Sequence, residues 1–288
     1  MAKELAQCIP LEVIHNFSPP PNLRNRARRL IPFQIRETAR DMVDTVAIKL
    51  FPIQAVTVAE VGAKFKLHCK RDRYRLQTGG YEGQYSSDIM AAIKESGENV
   101  NFLDIGAAQG LYTLLAAVSR ASVVAVEPDH ELVQDMLENI QLNSTKRELP
   151  IQVLDFALSN ENGITEFYTD GRNGRAPSLV QTHDQRLIEW TWMATLDMLI
   201  ETNAVPVPTI VKLDVEGAEE MVLKGGENLF RSVHKPAHLF VEIHEQYLPK
   251  FGTTAENVWN YITGSLEYHP HRIYPRNEYL CHFIAKTC

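Results

Sequence analysis

Residues 100–129 constrain the fold of this chain more than any other stretch. They read VNFLDIGAAQGLYTLLAAVSRASVVAVEPD. Val100, Phe102, Leu103 and Ile105 form an apolar run that meets a turn containing Gly106 and Gly110. Leu111, Leu114, Leu115 and Val118 then recur at helical spacing, and a second apolar run ends at Glu127. Strand, glycine turn, helix and a second strand with an acidic end is the sequence form of a nucleotide-binding βαβ unit.

The rest of the chain extends that unit. Helices are expected over 88–96, 111–119, 131–142, 218–230 and 254–263, with another capped by Thr195 and running to about residue 201. Strands are expected over 122–127, 151–158, 209–215, 238–244 and 279–285. This alternation predicts an α/β, doubly wound, mostly parallel seven-stranded sheet of the Rossmann-like kind. Ligands then sit at the carboxyl ends of the strands, near the point where strand order reverses. The polar stretch 159–189 breaks the rhythm, and 170–187 within it reads as a mobile flap.

Residues 1–75 read as an accessory region ahead of a domain over 76–288. Pro19, Pro20 and Pro21 favour an extended arm, 35–50 has helical spacing up to Pro52, and 56–75 alternates like a hairpin. Arg24, Arg26, Arg28 and Arg29 either contact an anionic group or form a solvated face that pairs with the protein's own acids; the solvated face is the expectation.

Charge and cysteine usage exclude several classes. A net charge of −7 gives no overall electrostatic footprint for nucleic acid. The four cysteines (Cys8, Cys69, Cys281, Cys288) lack the paired short spacing of a zinc ribbon or a disulfide framework. No run approaches the ~20 apolar residues of a membrane span. The expectation is a cytoplasmic protein with no nucleic-acid partner and no stable membrane insertion, and homo-oligomer formation stays open.

The turn itself selects the ligand. A nicotinamide dinucleotide site ordinarily shows G-x-G-x-x-G, whose second glycine admits a pyrophosphate. Here Ala108 stands at that position, and the acid Asp104 precedes Gly106 by two residues. S-adenosylmethionine has no phosphate and carries an ammonium and a sulfonium, so a carboxylate suits it where it would repel a pyrophosphate. Asp104 is expected to face the cofactor. Glu127 lies 21 residues beyond Gly106, near the ~20 expected for the acid that accepts hydrogen bonds from ribose hydroxyls. Asp155, at the end of the third strand, is placed to accept from the adenine amino group, with Phe156 or a neighbour against the ring. Its alternative role is that of a surface turn aspartate.

Two later strand ends carry an unusual load of charge. In 210–217, IVKLDVEG, a period of two puts Lys212, Asp214 and Glu216 on one face; in 239–244, LFVEIH, it joins Glu242 and His244. Central parallel strands are normally apolar on both faces, and buried charge is costly unless paired. The cluster therefore reads as a reaction centre, against the plainer alternative of a structural Lys212 ion pair.

The motifs DIGAAQGLYT, VVAVEPD with ENIQLN behind it, ALSNENG, TLDML, VKLDVEGAEEMVLKGG and FVEIH, in this order, resemble the FkbM-like methyltransferases. These are class I S-adenosylmethionine enzymes that commonly methylate hydroxyls on sugars, glycans or natural products. The resemblance covers about residues 80–245. It implies a cofactor loop of Asp104, Gly106, Ala107 and Gly110, a ribose-binding Glu127 followed by Pro128, and an adenine side of Asp155, Phe156 and Ala157. It places Asp214, Glu216, Glu242 and His244 on the reaction side. The family loop usually resembles G-A-N-x-G; Ala108 replaces the asparagine, so the methionine end falls to another polar group such as Gln109 or Glu82.

Methyl transfer from a sulfonium needs an aligned acceptor above all, and an alcohol oxygen also benefits from a general base. His244 is the first candidate, since an unperturbed pKa of ~6.5 suits proton acceptance near neutrality; Glu242 orients it or acts itself. A divalent metal on the same residues ranks below metal-free catalysis. The acceptor is a small molecule or glycan. The competing classes are an NAD-type oxidoreductase and a non-catalytic scaffold that retains the fold.

Overall fold

The computed structural model describes residues 46, 48–69, 72, 76, 83–145, 147–170, 177–181, 187–274 and 279–285. Residues 51–288 form one compact unit. The proline arm and its arginines, the 35–50 helix apart from its last residues, Glu82, and most of the 170–187 segment lie outside the described residues.

The unit begins with an antiparallel hairpin, β1 (Ile53–Val58) and β2 (Val61–Lys66). Helix α1 (Gly83–Glu95) leads to β3 (Asn101–Ile105), α2 (Leu111–Val118), β4 (Ser122–Val126), α3 (His130–Asn143) and β5 (Ile151–Leu154). Short β6 (Ala157–Leu158), β7 (Gly163–Thr169) and β8 (Leu187–Ala194) follow, then α4 (Leu196–Glu201) and β9 (Ile210–Leu213). The chain closes with α5 (Glu219–Gly225), α6 (Glu227–Arg231), β10 (His238–Ile243), α7 (Ala255–Asn260), β11 (Tyr268–Tyr274) and β12 (Tyr279–Ala285).

Seven strands make the main sheet in the order β11-β12-β10-β9-β3-β4-β5. β5, β4, β3, β9 and β10 pair in parallel, and β12 runs antiparallel to both of its neighbours. This is the doubly wound Rossmann-like sheet expected from the alternation. From β3 the chain builds outward through β4 to β5, then returns to β9 on the other side, so the reversal lies between β3 and β9. Apolar side chains of the central strands, among them Leu103, Ile105, Val211, Leu213, Leu239 and Val241, pack with Leu196, Leu223, Phe230 and Leu248 in one core. Polar interruptions are few and buried: Asp104, Lys212 and Glu242. Among the described residues, no helix is long and apolar enough to cross a membrane.

Several expected elements change shape. The 151–158 strand breaks after Leu154, and its second half joins β7 and β8 in a separate three-stranded sheet. Within the polar stretch 159–189, Gly163–Thr169 and the first residues of β8 are thus strand. The 218–230 helix divides at Gly226, and at the preceding Gly225 a Cβ would stand 1.9 Å from the Ser159 carbonyl oxygen; helix and loop touch backbone to backbone. β11 was not expected because YHPHRIY lacks apolar alternation. It is an edge strand with most of its side chains exposed, and Pro270 sits at a register shift, where a missing N–H is tolerated.

The hairpin is fastened to α3. Lys64 and Lys66 donate backbone N–H groups to Asn143 Oδ1 and Asn139 Oδ1 at 2.9 and 2.8 Å, and Asn143 donates back to the Lys64 carbonyl. Asn139 also donates to the Gln109 carbonyl at 3.0 Å, so the same side chain steadies the glycine turn.

Candidate active site

The turn between β3 and α2 is built from backbone geometry that few side chains tolerate. Gly106 has φ +75°, and a Cβ there would stand 1.7 Å from the Asp214 carbonyl oxygen. The absence of that carbon lets the ends of β3 and β9 lie against each other. Ala108 also has positive φ, +48°, and Gly110 caps α2 in the left-handed region. Gly106 and Ala107 donate to the Val126 carbonyl at 2.9 and 3.1 Å, which fixes the turn beside the end of β4.

Glu127 follows directly. Its Oε2 accepts from Ala108 N–H at 2.8 Å and its Oε1 from Asp129 N–H at 2.9 Å. Two backbone donors orient the carboxylate, and each oxygen keeps further acceptor capacity for a ligand hydroxyl. Asp129, not singled out in the sequence, caps α3 by accepting from Glu131 and Leu132 N–H, and it takes the Thr169 hydroxyl at 2.5 Å.

Above this turn lies a cleft of about 610 Å³, its open mouth included. Ligand sites for molecules of nucleoside size typically fall between ~300 and ~1,000 Å³. Of the residues expected to hold cofactor, Gly106, Glu127, Pro128, Phe156 and Ala157 line it; of the reaction group, Asp214 and Glu216 do. Leu132 and Phe167 add apolar wall that the sequence reading missed. Ala107 and Gln109 are buried within the turn.

Asp104, expected to face the cofactor, is instead fully buried behind the turn. Thr113 donates to its Oδ2 at 2.7 Å, and Lys212 Nζ lies 3.6 Å from its Oδ1. The two residues are register partners on adjacent strands. Lys212 also donates to the Gly106 carbonyl and to Asp214 Oδ2, both at 3.1 Å, and so straps the turn after β3 to the turn after β9. Asp155 sits at the strand break after β5, outside the cleft lining, with both oxygens 2.8 Å from His130 Nδ1.

The reaction group does converge, although not as one strand face. β9 ends at Leu213, and Asp214 and Glu216 lie in the turn beyond it, with Glu216 itself at φ +52°. His244 is their meeting point. Its Nε2 is 3.3 Å from Glu216 Oε2, 3.7 Å from Asp214 Oδ1 and 3.9 Å from Glu242 Oε1. Its Nδ1 lies 2.8 Å from Glu219 Oε1, an oxygen that also accepts from Gly217 N–H at 3.0 Å. Glu219 is wholly buried in the first turn of α5 and was missed in the sequence. Its one signal was a second acid three residues after Glu216.

Burial alone would lower the His244 pKa. The charge of Glu216, the hydrogen bond and charge of Glu219 and the charge of Asp214 outweigh it and hold the imidazole well above the usual histidine range. The premise of an ordinary pKa for His244 therefore fails. While the imidazole carries both ring protons it has no lone pair with which to take another.

The described residues 177–181 meet this end of the cleft. Pro177, Ser178 and Leu179 line the cleft, Ser178 exchanges backbone hydrogen bonds with Tyr168, and its hydroxyl donates to the Glu216 carbonyl at 3.0 Å. Lys250 reaches the Gln181 carbonyl from the other side.

A doubly wound sheet with a nucleoside-sized cleft at its reversal point, an oriented acid at one end and a carboxylate–imidazole cluster at the other places the chain in the Rossmann-like class of folds. Residues 104–270 match the methyltransferase FkbM domain, and the chain belongs to that family. The chain is therefore a methyltransferase, and the oxidoreductase alternative falls away. The hexuronic acid methyltransferase AglP of Haloferax volcanii is 28% identical over 220 residues, which cover 75% of this chain and 85% of the relative. Among solved structures, a methyltransferase FkbM from Methylobacillus flagellatus superposes with a TM-score of 0.46 at 19% identity, over 65% of this chain and 43% of the other. This chain thus matches less than half of the Methylobacillus protein. Magnesium protoporphyrin IX methyltransferase from Synechocystis PCC 6803 gives 0.43 at 12% identity, over 70% and 79%.

Proposed function

We propose that the protein transfers the methyl group of S-adenosylmethionine to a hydroxyl of a sugar or glycan. The observation that carries this reading is that one cleft joins Glu127, pinned by two backbone N–H groups, to the Asp214–Glu216 turn at its other end. The ribose hydroxyls donate to Glu127, and Pro128, Phe156, Ala157 and Leu132 enclose the adenine. Asp155, next to Phe156, keeps acceptor capacity for the adenine amino group beside its contact with His130. Gln109 and Glu82 remain assigned to the methionine end, and Asp104 acts from beneath through Lys212.

In the reaction the acceptor oxygen forms a bond to the methyl carbon, the S–CH3 bond breaks, and the sulfonium becomes a neutral thioether. The hydroxyl proton passes to Glu216, which lines the cleft. His244 and Glu242 position Glu216 and Asp214. The acceptor class follows the AglP relative, whose name specifies a hexuronic acid. Acceptor choice is assigned to residues 1–75, transfer to 76–288, and the protein to the cytoplasm.

Methyl-labelled cofactor incubated with hexuronic acids, hexoses and glycans that contain them should yield a product heavier by one methylene in mass spectra, stable to mild alkali. An alkali-labile product would place the methyl group on a carboxylate instead of a hydroxyl. Cofactor binding without product on any hydroxylated acceptor would leave only a scaffold.

A further inference from the structure

The ends of β9 and β10 bring Asp214, Glu242 and His244 together so that one ligand atom from each lies within 4.8 Å of the others. We infer that these three residues bind a divalent cation of the Mg²⁺/Mn²⁺ kind, which holds the acceptor's hydroxyls beside Glu216.

The first support is spacing. Ion pairs in this protein run from 2.7 Å (Lys224–Glu220) to 3.6 Å (Lys212–Asp104), and His244 Nε2 itself comes to 3.3 Å of Glu216 Oε2. His244 Nε2 is set back from Asp214 Oδ1 by 3.7 Å and from Glu242 Oε1 by 3.9 Å. Two donors that each lie ~2.1 Å from one octahedral cation are about 3 Å apart when adjacent and about 4.2 Å when opposite. Both separations fall between the adjacent and the opposite spacing of donors in an octahedral shell.

The second support is the imidazole. His244 is 2% exposed, and its Nδ1 is fixed by Glu219 Oε1 at 2.8 Å, an oxygen held in turn by Gly217 N–H. A carboxylate behind the far ring nitrogen is the arrangement that orients a metal-binding histidine. It aims the buried Nε2 at the carboxylates of the cluster. No described residue donates a hydrogen bond to the second oxygen of Glu219, which is also buried.

The donor set suggests the cation. Carboxylate oxygens suit Mg²⁺ and Mn²⁺, and a single imidazole among them favours Mn²⁺. Three protein ligands leave open positions for two neighbouring hydroxyls, and coordination lowers the pKa of the one to be methylated. The cation takes the place of any proton on Nε2. Asp214 serves it through Oδ1 while Oδ2 stays on Lys212.

This inference rests on reading the site as the reaction end of a methyltransferase, and its test keeps the two apart. Full-length protein stripped with a chelator is titrated with MnCl₂, and free Mn²⁺ is followed by electron paramagnetic resonance. One equivalent should bind per chain, at least ~10-fold more weakly in Glu242→Gln. Asp214→Asn, at the more exposed carboxylate, gives a second reading, and melting curves show that each variant is folded. Glu138→Gln should bind like wild type, since it alters a different meeting of histidine and carboxylates, His68 with Asp135 and Glu138. No bound Mn²⁺, or binding that survives Glu242→Gln and disappears in Glu138→Gln, overturns the proposal. Calorimetry with S-adenosylmethionine on the same stripped protein separates the readings. Cofactor bound by protein that takes no Mn²⁺ removes the metal alone, whereas Mn²⁺ bound without cofactor supports the metal site and removes the methyl donor.

Discussion

At the nucleoside end of the cleft one carboxylate, Glu127, is held by two backbone N–H groups; at the reaction end one imidazole, His244, is held among four carboxylates. The first arrangement depends on chain geometry, since its donors do not titrate. The second depends on charge, so it responds to pH and to the loss of any one partner. One cleft thus joins a site fixed by φ angles to a site fixed by protonation.

The sharpest way to break that contrast is Glu219→Gln. The substitution keeps the shape of the side chain and removes the charge that faces Nδ1. Because the folded His244 pKa lies above the unfolded value of ~6.5, its contribution to stability is full below about pH 6.5 and is lost as pH rises through the raised folded value. Losing one partner of a buried ion pair costs on the order of 3 kcal/mol. The variant should therefore melt well below wild type at pH 6, and the gap should close in alkaline buffer. The imidazole titration followed by NMR should move to lower pH. A gap of constant size from pH 6 to 10 would mean that His244 is not held as a cation.

Glu127→Ala tests the other end and has a smaller effect. It removes charge-assisted hydrogen bonds to the ribose, so binding of S-adenosylmethionine should weaken by roughly 1–3 kcal/mol. That loss should be the same at pH 6 and pH 9, because the Ala108 and Asp129 N–H groups that orient Glu127 do not titrate. Calorimetry at the two pH values is the check. Unchanged affinity would show that the ribose is held elsewhere, and a loss confined to one pH would erase the contrast between the two ends.

How far each end can be read from the sequence follows from the same contrast. The nucleoside end is local: glycines, a helix and an acid 21 residues on lie within one βαβ unit, and Gly106 and Glu127, singled out there, both line the cleft. The convergence of Asp214, Glu216, Glu242 and His244 was also legible, since adjacent parallel strands must end side by side. What was missed depends on register and on close approach. Asp104 and Lys212 are 108 residues apart, and only strand pairing shows that each takes up the other's charge. Glu219 looked like one more acid at a helix start, and Ser178 like one more residue of a polar loop. The strand break before Phe156 follows from β6 pairing with β8, a contact that residues 151–158 alone do not specify.

The smallest effect concerns the residue that departs from the family loop. Ala108 occupies a left-handed position, φ +48°, that asparagine adopts more readily than alanine. The Cβ of an ordinary residue costs ~1–2 kcal/mol there, and glycine escapes this while losing more freedom on folding. Ala108→Gly should therefore stabilise the protein by about 0.5–1 kcal/mol and raise its melting temperature by roughly 1–3 °C. Only the Ala108 N–H reaches Glu127, and glycine keeps it, so affinity for S-adenosylmethionine should not change. A lower melting temperature would show that the methyl group, which borders the cleft, packs more favourably than its φ angle strains the turn. The nucleoside end would then depend on side-chain packing as well as on backbone geometry.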